Sequence, residues 1–184
     1  MTKPTRTRAR ATSLPAVVLA PITRADAPVL FEWINDRELV LLSAAYQPVH
    51  ETTHRAWLNG VANRTDGVVC AIRLRRGRRL IGVGQLSHVS RVHRSAELQI
   101  RIGDARWRGR GFGTAAVRLL VKLAFEDLNL HRVFLQVFRT NTAAIRSYER
   151  AGFRHEGTLR QAVHLDGRYV DVLVMAVLRN ERTP

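Results

Sequence analysis

Two stretches of this chain set reactive residue types at spacings that could do chemistry. The first is HETTH, residues 50–54, with two imidazoles one helical turn apart and a carboxylate beside the first. That is the written form of a zinc-protease signature. Zinc there needs both histidines inside a long helix and a third ligand further along. Here Pro48 places His50 in the first turn of its helix, and no Glu, Asp or His stands between Asp66 and His88. An extended signature needs Gly and His where this chain has Trp57 and Gly60. HETTH therefore reads as a capped, solvent-facing first turn, with Glu51 near the positive end of the helix, and no metal is expected. The second stretch is RWRGRGFGT, residues 106–114, with glycines at 109, 111 and 113. Glycines let a backbone approach a ligand closely, and free amides at a helix start attract phosphate. Arg106, Arg108 and Arg110 add positive charge around such a nest. A P-loop needs Lys after the last glycine, where this chain has Thr114. A dinucleotide fingerprint needs Gly at 114 and an acidic residue closing the next strand, which ends in Phe138 and Arg139. Two readings remain: an R-x-x-G-x-G phosphate loop of Arg108, Gly111 and Gly113, or a glycine turn with its arginines in solvent.

The elements that must position these residues follow from hydrophobic period. AVVLAPI (16–22) predicts a strand, TRADAPVLFEWIND (23–36) a helix started by a Thr or Asp cap, and residues 48–64 a second helix. Three β-rich runs follow at 67–75, 79–90 and 95–103, the first two joined by the turn signal RRGRR. Val117, Leu120, Val121, Ala124 and Leu128 recur at helical spacing and predict a helix over 114–128. RVFLQVF (132–138) predicts a strand, 141–152 a helix closed by Gly152, and the end of the chain two strands around the Asp166-Gly167 turn. The sum is a mixed α/β domain.

Composition narrows the function classes. A chain of 184 residues suits one domain with a real core. Residues 1–14 hold four basic residues and no acidic one and read as a disordered tail, leaving 15–184 as a single domain. No run approaches the roughly 18 apolar residues that a membrane helix needs, and no apolar secretory core follows the tail. One cysteine, Cys70, lies in an apolar run and reads as a buried, inert thiol, which fits a reducing cytoplasm. Formal net charge is +15, with 28 arginines among 30 basic residues, and +11 remains without the tail. Such a field favours polyanions, a phosphorylated cofactor or a nucleic acid.

The loop of Arg108, Gly111 and Gly113 resembles the acetyl-CoA pyrophosphate loop of GNAT-type N-acetyltransferases. A second block, NTAAIRSYERAGFRHEG (141–157), is similar to that family's Asn-opened helix with a Tyr on one face and Gly-Phe leading into a strand. LNLHRVFLQV and HLDGRYVDVLVMAVL resemble matching family segments, so the likeness runs in order over about residues 15 to 179. WIND (33–36) and the ending resemble the branch holding ribosomal-protein N-terminal and spermidine acetyltransferases.

The resemblance implies a mixed, mostly antiparallel central sheet of six to seven strands flanked by helices. It implies acetyl-CoA as co-substrate, with the backbone of Gln99, Ile100, Arg101 and Ile102 pairing with the pantetheine arm and polarising the thioester carbonyl. Arg106, Arg108, Gly109, Arg110, Gly111, Phe112, Gly113 and Thr114 would hold the pyrophosphate, and Asn141 would contact the cofactor or serve only as a helix cap. Transfer to nitrogen needs a neutral amine, so a base is required. Glu97 matches the family's strand-borne glutamate; the alternative is a half-exposed carboxylate paired with an arginine. Tyr148 matches the family's general acid for the leaving thiolate; the alternative is a packed aromatic. Acceptor contacts are expected on the first two helices and final hairpin, from Trp33, Asp36, Glu38 and Glu51, or those acids are solvated helix faces. The expected activity is acetylation of a small-molecule primary amine such as a polyamine, amino sugar or antibiotic-like amine, in a ternary complex. The competing expectations are acetylation of a protein N-terminus, ribosomal among others, and a basic nucleic-acid-binding module on an inactive transferase fold. A cytoplasmic homodimer without membrane contact completes the expectation.

Overall fold

The computed structural model describes residues 16–181, so the predicted tail 1–14 lies outside the described residues. Strand β1 (Val17–Ala20) leads through a 3-10 turn into helices α1 (Ala27–Asn35), α2 (Arg37–Val40) and α3 (Glu51–Val61). Strands β2 (Val68–Leu74), β3 (Leu80–Ser90) and β4 (Ser95–Ile102) follow, then helix α4 (Phe112–Lys122), β5 (Arg132–Phe138), helix α5 (Thr142–Arg150), and the hairpin β6 (Arg154–Leu165) with β7 (Arg168–Leu178). The seven strands form one sheet in the order β1-β2-β3-β4-β5-β7-β6. Every neighbouring pair is antiparallel except β4 with β5, as a mostly antiparallel sheet requires.

That single parallel joint is short. Ser95, Ala96 and Glu97 pair with Arg132, Val133 and Phe134, and the pairing stops there. Beyond it β4 runs on to Ile102 and β5 to Phe138, each held only by its antiparallel neighbour. The sheet splays open between them, leaving one edge of β4 with unpaired backbone groups facing the gap.

Alternation decides what each face of β4 meets. Ala96 and Leu98 are fully buried in the main core with Val117, Leu120 and Val121 of α4, with Ala124 just beyond that helix, and with Tyr148 and Phe153. Glu97, Gln99 and Arg101 therefore project to the opposite face, beneath α1 and α3. Gly103 ends β4, and any side chain there would collide with the indole of Trp33, so only glycine lets α1 seat on the sheet. Asp166 and Gly167, both at positive φ, make the two-residue turn of the last hairpin. Cys70 is buried in β2, and burial pushes its thiol up, away from the reactive thiolate.

The structure corrects the sequence reading in two places. The helix predicted over 114–128 ends at Lys122 and continues as one π turn over Leu123–Asp127, in which Leu128 N–H donates to the Leu123 carbonyl at 3.0 Å. The wider turn buries both Ala124 and Phe125, and the Arg179 guanidinium donates to the carbonyls of Phe125 and Leu130 from the end of β7. Helix α2 is a single turn, too short for any periodicity to announce it, and is started by Asp36, whose carboxylate accepts from Leu39 N–H at 3.1 Å.

Candidate active site

The glycine loop joins β4 to α4. Gly109 and Gly111 sit at φ +70 and +83, the left-handed region that a side chain makes costly. Gly111 is also the N-cap of α4 and has no side chain with which to cap it. Helix geometry therefore leaves the amides of Phe112, Gly113 and Thr114 without intrahelical partners, pointing out at the positive end of the helix.

The three loop arginines, in contrast, are already engaged. Arg106 donates twice to Asp104, at 3.0 and 2.7 Å, and its hydrogen bonds hold that carboxyl down at about 2. Arg108 donates to the carbonyls of Ile102 and Gly103 at 2.9 and 2.6 Å, fastening the loop to the end of β4. The Arg110 guanidinium lies over the Trp107 and Phe112 rings, 5.1 and 5.9 Å from their centres. The polar groups that this loop leaves unengaged are backbone amides.

Two cavities meet at the splay. One, of about 430 Å³, is bounded by the loop glycines, Thr114, Asn141 and Tyr148. The other, of about 710 Å³, lies beneath α1 and α3 and is bounded by Trp33, His54, Trp57, Glu97 and Gln99. Ser43, Ile100, Arg101, Gln136, Val137 and Phe138 border both, so the unpaired stretch of β4 and β5 is the wall between them.

The two residues expected to move protons stand on opposite sides of that wall. Tyr148 on α5 is 7% exposed and packs against Phe153, ring centres 5.8 Å apart, and burial pushes its phenol up to about 12. It therefore keeps its proton at any ordinary pH. Glu97 sits at the last paired position of β4, mostly buried, with Oε2 3.0 Å from Nδ1 of the exposed His88. Asn141 caps α5: its Oδ1 accepts from Ala144 N–H at 3.0 Å while its Nδ2 donates to the Leu42 carbonyl at 2.9 Å. It thus ties the segment after α2 to the start of α5.

Of the expected acceptor residues, the structure brings Trp33 to the larger cavity. Asp36 is committed to the α2 cap, Glu51 pairs with Arg55 at 2.5 Å on the exposed face of α3, and Glu38 is exposed on α2; none of the three borders either cavity. Side chains that sequence reasoning passed over stand there instead. His50 does cap α3, its Nδ1 accepting from Thr52 N–H at 3.4 Å, but His54 is not solvent-facing. It is 7% exposed between Phe31 and Trp57, its Nε2 has no hydrogen-bond partner among the described residues, and burial lowers its pKa so that the ring is neutral. The signal was available, because His54 shares a helical face with Trp57 at i+3. Gln85 and Gln99 face each other across β3 and β4 and hydrogen-bond at 2.5 Å.

Comparison with known proteins fits this arrangement. The family described as Acetyltransferase (GNAT) domain matches residues 16–154. The chain is 37% identical over 102 residues to a spermidine N(1)-acetyltransferase of Vibrio cholerae, covering 55% of this chain and 58% of that one. It is 33% identical over 100 residues to its Escherichia coli K12 counterpart, covering 54% and 53%. Those alignments span just over half the length of either relative. The fold likeness is longer: a crystal structure of the Vibrio cholerae spermidine N-acetyltransferase, in complex with CoA and spermine, superposes with a TM-score of 0.82 at 27% identity, over 90% of this chain and 97% of that one.

Proposed function

The chain belongs to the GNAT acetyltransferase family, and from that premise we propose that it transfers an acetyl group from acetyl-CoA to the primary amine of a small acceptor. The observation that carries the reading is the pair of cavities meeting at the β4–β5 splay, with a glycine loop and the open start of α4 on one side and a carboxylate on the other.

The residues present suit acetyl-CoA. Amides of the loop and of the α4 start take the pyrophosphate, and the free edge of β4 from Gln99 to Ile102 offers donors and acceptors to an extended amide-bearing arm. When bound, the cofactor supplies an activated thioester. Edge amides of β4 donate to its carbonyl oxygen as negative charge builds there. Glu97 takes the proton of the incoming ammonium, because an ammonium has no lone pair with which to attack. His88, exposed and 3.0 Å away, gives that proton a route to solvent. The amine nitrogen would then bond to the acetyl carbon and lose its surplus proton by the same Glu97–His88 route, the carbon–sulfur bond would break with its electron pair on sulfur, and the Tyr148 phenol would protonate the thiolate. Solvent restores the Tyr148 proton.

The test is free-thiol release from acetyl-CoA against separate pools of polyamines, amino sugars, aminoglycoside-like amines, amino acids and N-terminal peptides. Release in at least one pool, lost in Glu97→Gln, is the expected result. Absence of release in every pool, together with failure of CoA to raise the melting temperature, would overturn the reading.

A further inference from the structure

We infer that Arg101 is a specificity residue of the acceptor cavity, an anion receptor that selects amines which also bear a carboxylate. This rests on the acetyl-transfer reading above and narrows its acceptor.

The chain contains a contrast that shows how it treats arginines drawn inward. Arg73 in β2 is largely buried, and Asp26 meets it with both carboxylate oxygens, at 2.8 and 2.7 Å. Arg101 is half-buried on the inner face of β4 and has no such partner. It donates to the Ser43 hydroxyl at 3.3 Å, and among the described residues it makes no ion pair. Asp36 acts on it only from a distance, since that carboxylate is committed to the α2 cap. Burial strips the guanidinium of water, lowering its pKa from the ordinary value, yet an arginine stays charged at any physiological pH. A desolvated cation without a counter-ion is costly unless a ligand completes it. Beyond the one donor given to the Ser43 hydroxyl, the guanidinium keeps further N–H groups at the border of the two cavities.

The rest of the cavity says what that ligand looks like. Its ionisable lining is Glu97, Arg101 and the neutral His54, one fixed charge of each sign. Glu97 and Arg101 lie four residues apart on the same face of one strand, and between and above them stand Leu30, Trp33, Trp57 and Val83. One ammonium, one carboxylate and an apolar or aromatic body match this lining: an amino acid. A polyamine would bring further cations against Arg101 with no second carboxylate to receive them. A protein N-terminus offers a neutral carbonyl where the carboxylate would be. Arg101 also borders the loop-side cavity, so a phosphate of the cofactor is the rival source of an anion; its placement on the Glu97 face favours the acceptor.

The experiment uses the full chain loaded with CoA and three amino acids, leucine, methionine and phenylalanine, each beside its amide, with spermidine as a further arm. Calorimetry measures binding, and thiol release from acetyl-CoA measures transfer. At least one free acid should bind and turn over at least about tenfold better than its amide and than spermidine, given the usual strength of a charge-assisted bidentate contact. Arg101→Gln should remove that preference by raising the acid's KM about tenfold or more, leaving the KM for acetyl-CoA within about twofold; Arg101→Lys should recover part of it. CoA affinity in each variant reports that it is folded. The inference is overturned if no free acid outperforms its amide, if spermidine is preferred, or if Arg101→Gln raises the acetyl-CoA KM instead. Binding of a free acid with no thiol release from any amine would instead sink the acetyl-transfer reading and leave the receptor standing.

Discussion

The two cavities are built from different material. The loop-side cavity draws its free polar groups mainly from backbone: left-handed glycines, the open start of α4 and the free edge of β4, while Arg106, Arg108 and Arg110 are engaged by partners of their own. The acceptor-side cavity is side chains: two indoles, an imidazole, a carboxylate and a guanidinium gathered from α1, α3 and β4. A backbone site can bind the same cofactor across many sequences. A side-chain site changes its ligand with a handful of substitutions, so the proposed reading puts specificity on that side of the wall.

Substitutions on one side should leave the other intact, and the largest expected effect comes from the proton acceptor. Glu97→Gln should lower kcat about 10³-fold, the scale of a lost general base, while CoA affinity by calorimetry stays within about twofold. A weakened CoA affinity of similar size would break the separation. Tyr148→Phe should lower kcat by about 10²-fold with both KM values little changed, measured as steady-state thiol release. Trp33→Ala, on α1, should raise the acceptor KM about tenfold and leave the acetyl-CoA KM alone, through lost apolar contact. The smallest expected effect is none at all. An ordinary tyrosine is half ionised near pH 10, but a phenol pushed up to about 12 is still protonated there, because a raised pKa keeps the acid form to higher pH. The kcat profile should therefore show no loss of the acid between pH 8.5 and 10.5; a fall centred near 10 would mean that Tyr148 is wetter than the fold makes it.

The same division explains what could be read before the structure. The glycine loop was visible because all its parts lie within nine residues, and each glycine has a local conformational reason at Gly109 and Gly111. The strands and their turn residues, such as Asp166-Gly167, were visible for the same reason. The π turn was not, because helix and π-bulge share one apolar period and differ only in how Ala124 and Phe125 are accommodated in the core. The acceptor cavity was mostly hidden. The family resemblance pointed to the first two helices and their concentration of acid to Asp36, Glu38 and Glu51, but a carboxylate's count says nothing of whether it caps a helix, pairs with Arg55 or faces solvent. His54 was dismissed along with the zinc signature that it helped to spell, although its place beside Trp57 on one helical face marked it for burial. Arg101 was seen only as backbone, since nothing local reveals that it pairs with no acid among the described residues.

The most direct test of a backbone-built cofactor side and a side-chain-built acceptor side is calorimetric titration of CoA into the unaltered protein, Gly111→Val and Trp33→Ala. A valine at φ +83 should strain the α4 start by about 1–2 kcal/mol and weaken CoA about tenfold, while Trp33→Ala binds it as the unaltered protein does. Equal weakening in both variants, or no CoA binding by the unaltered protein, would contradict the account.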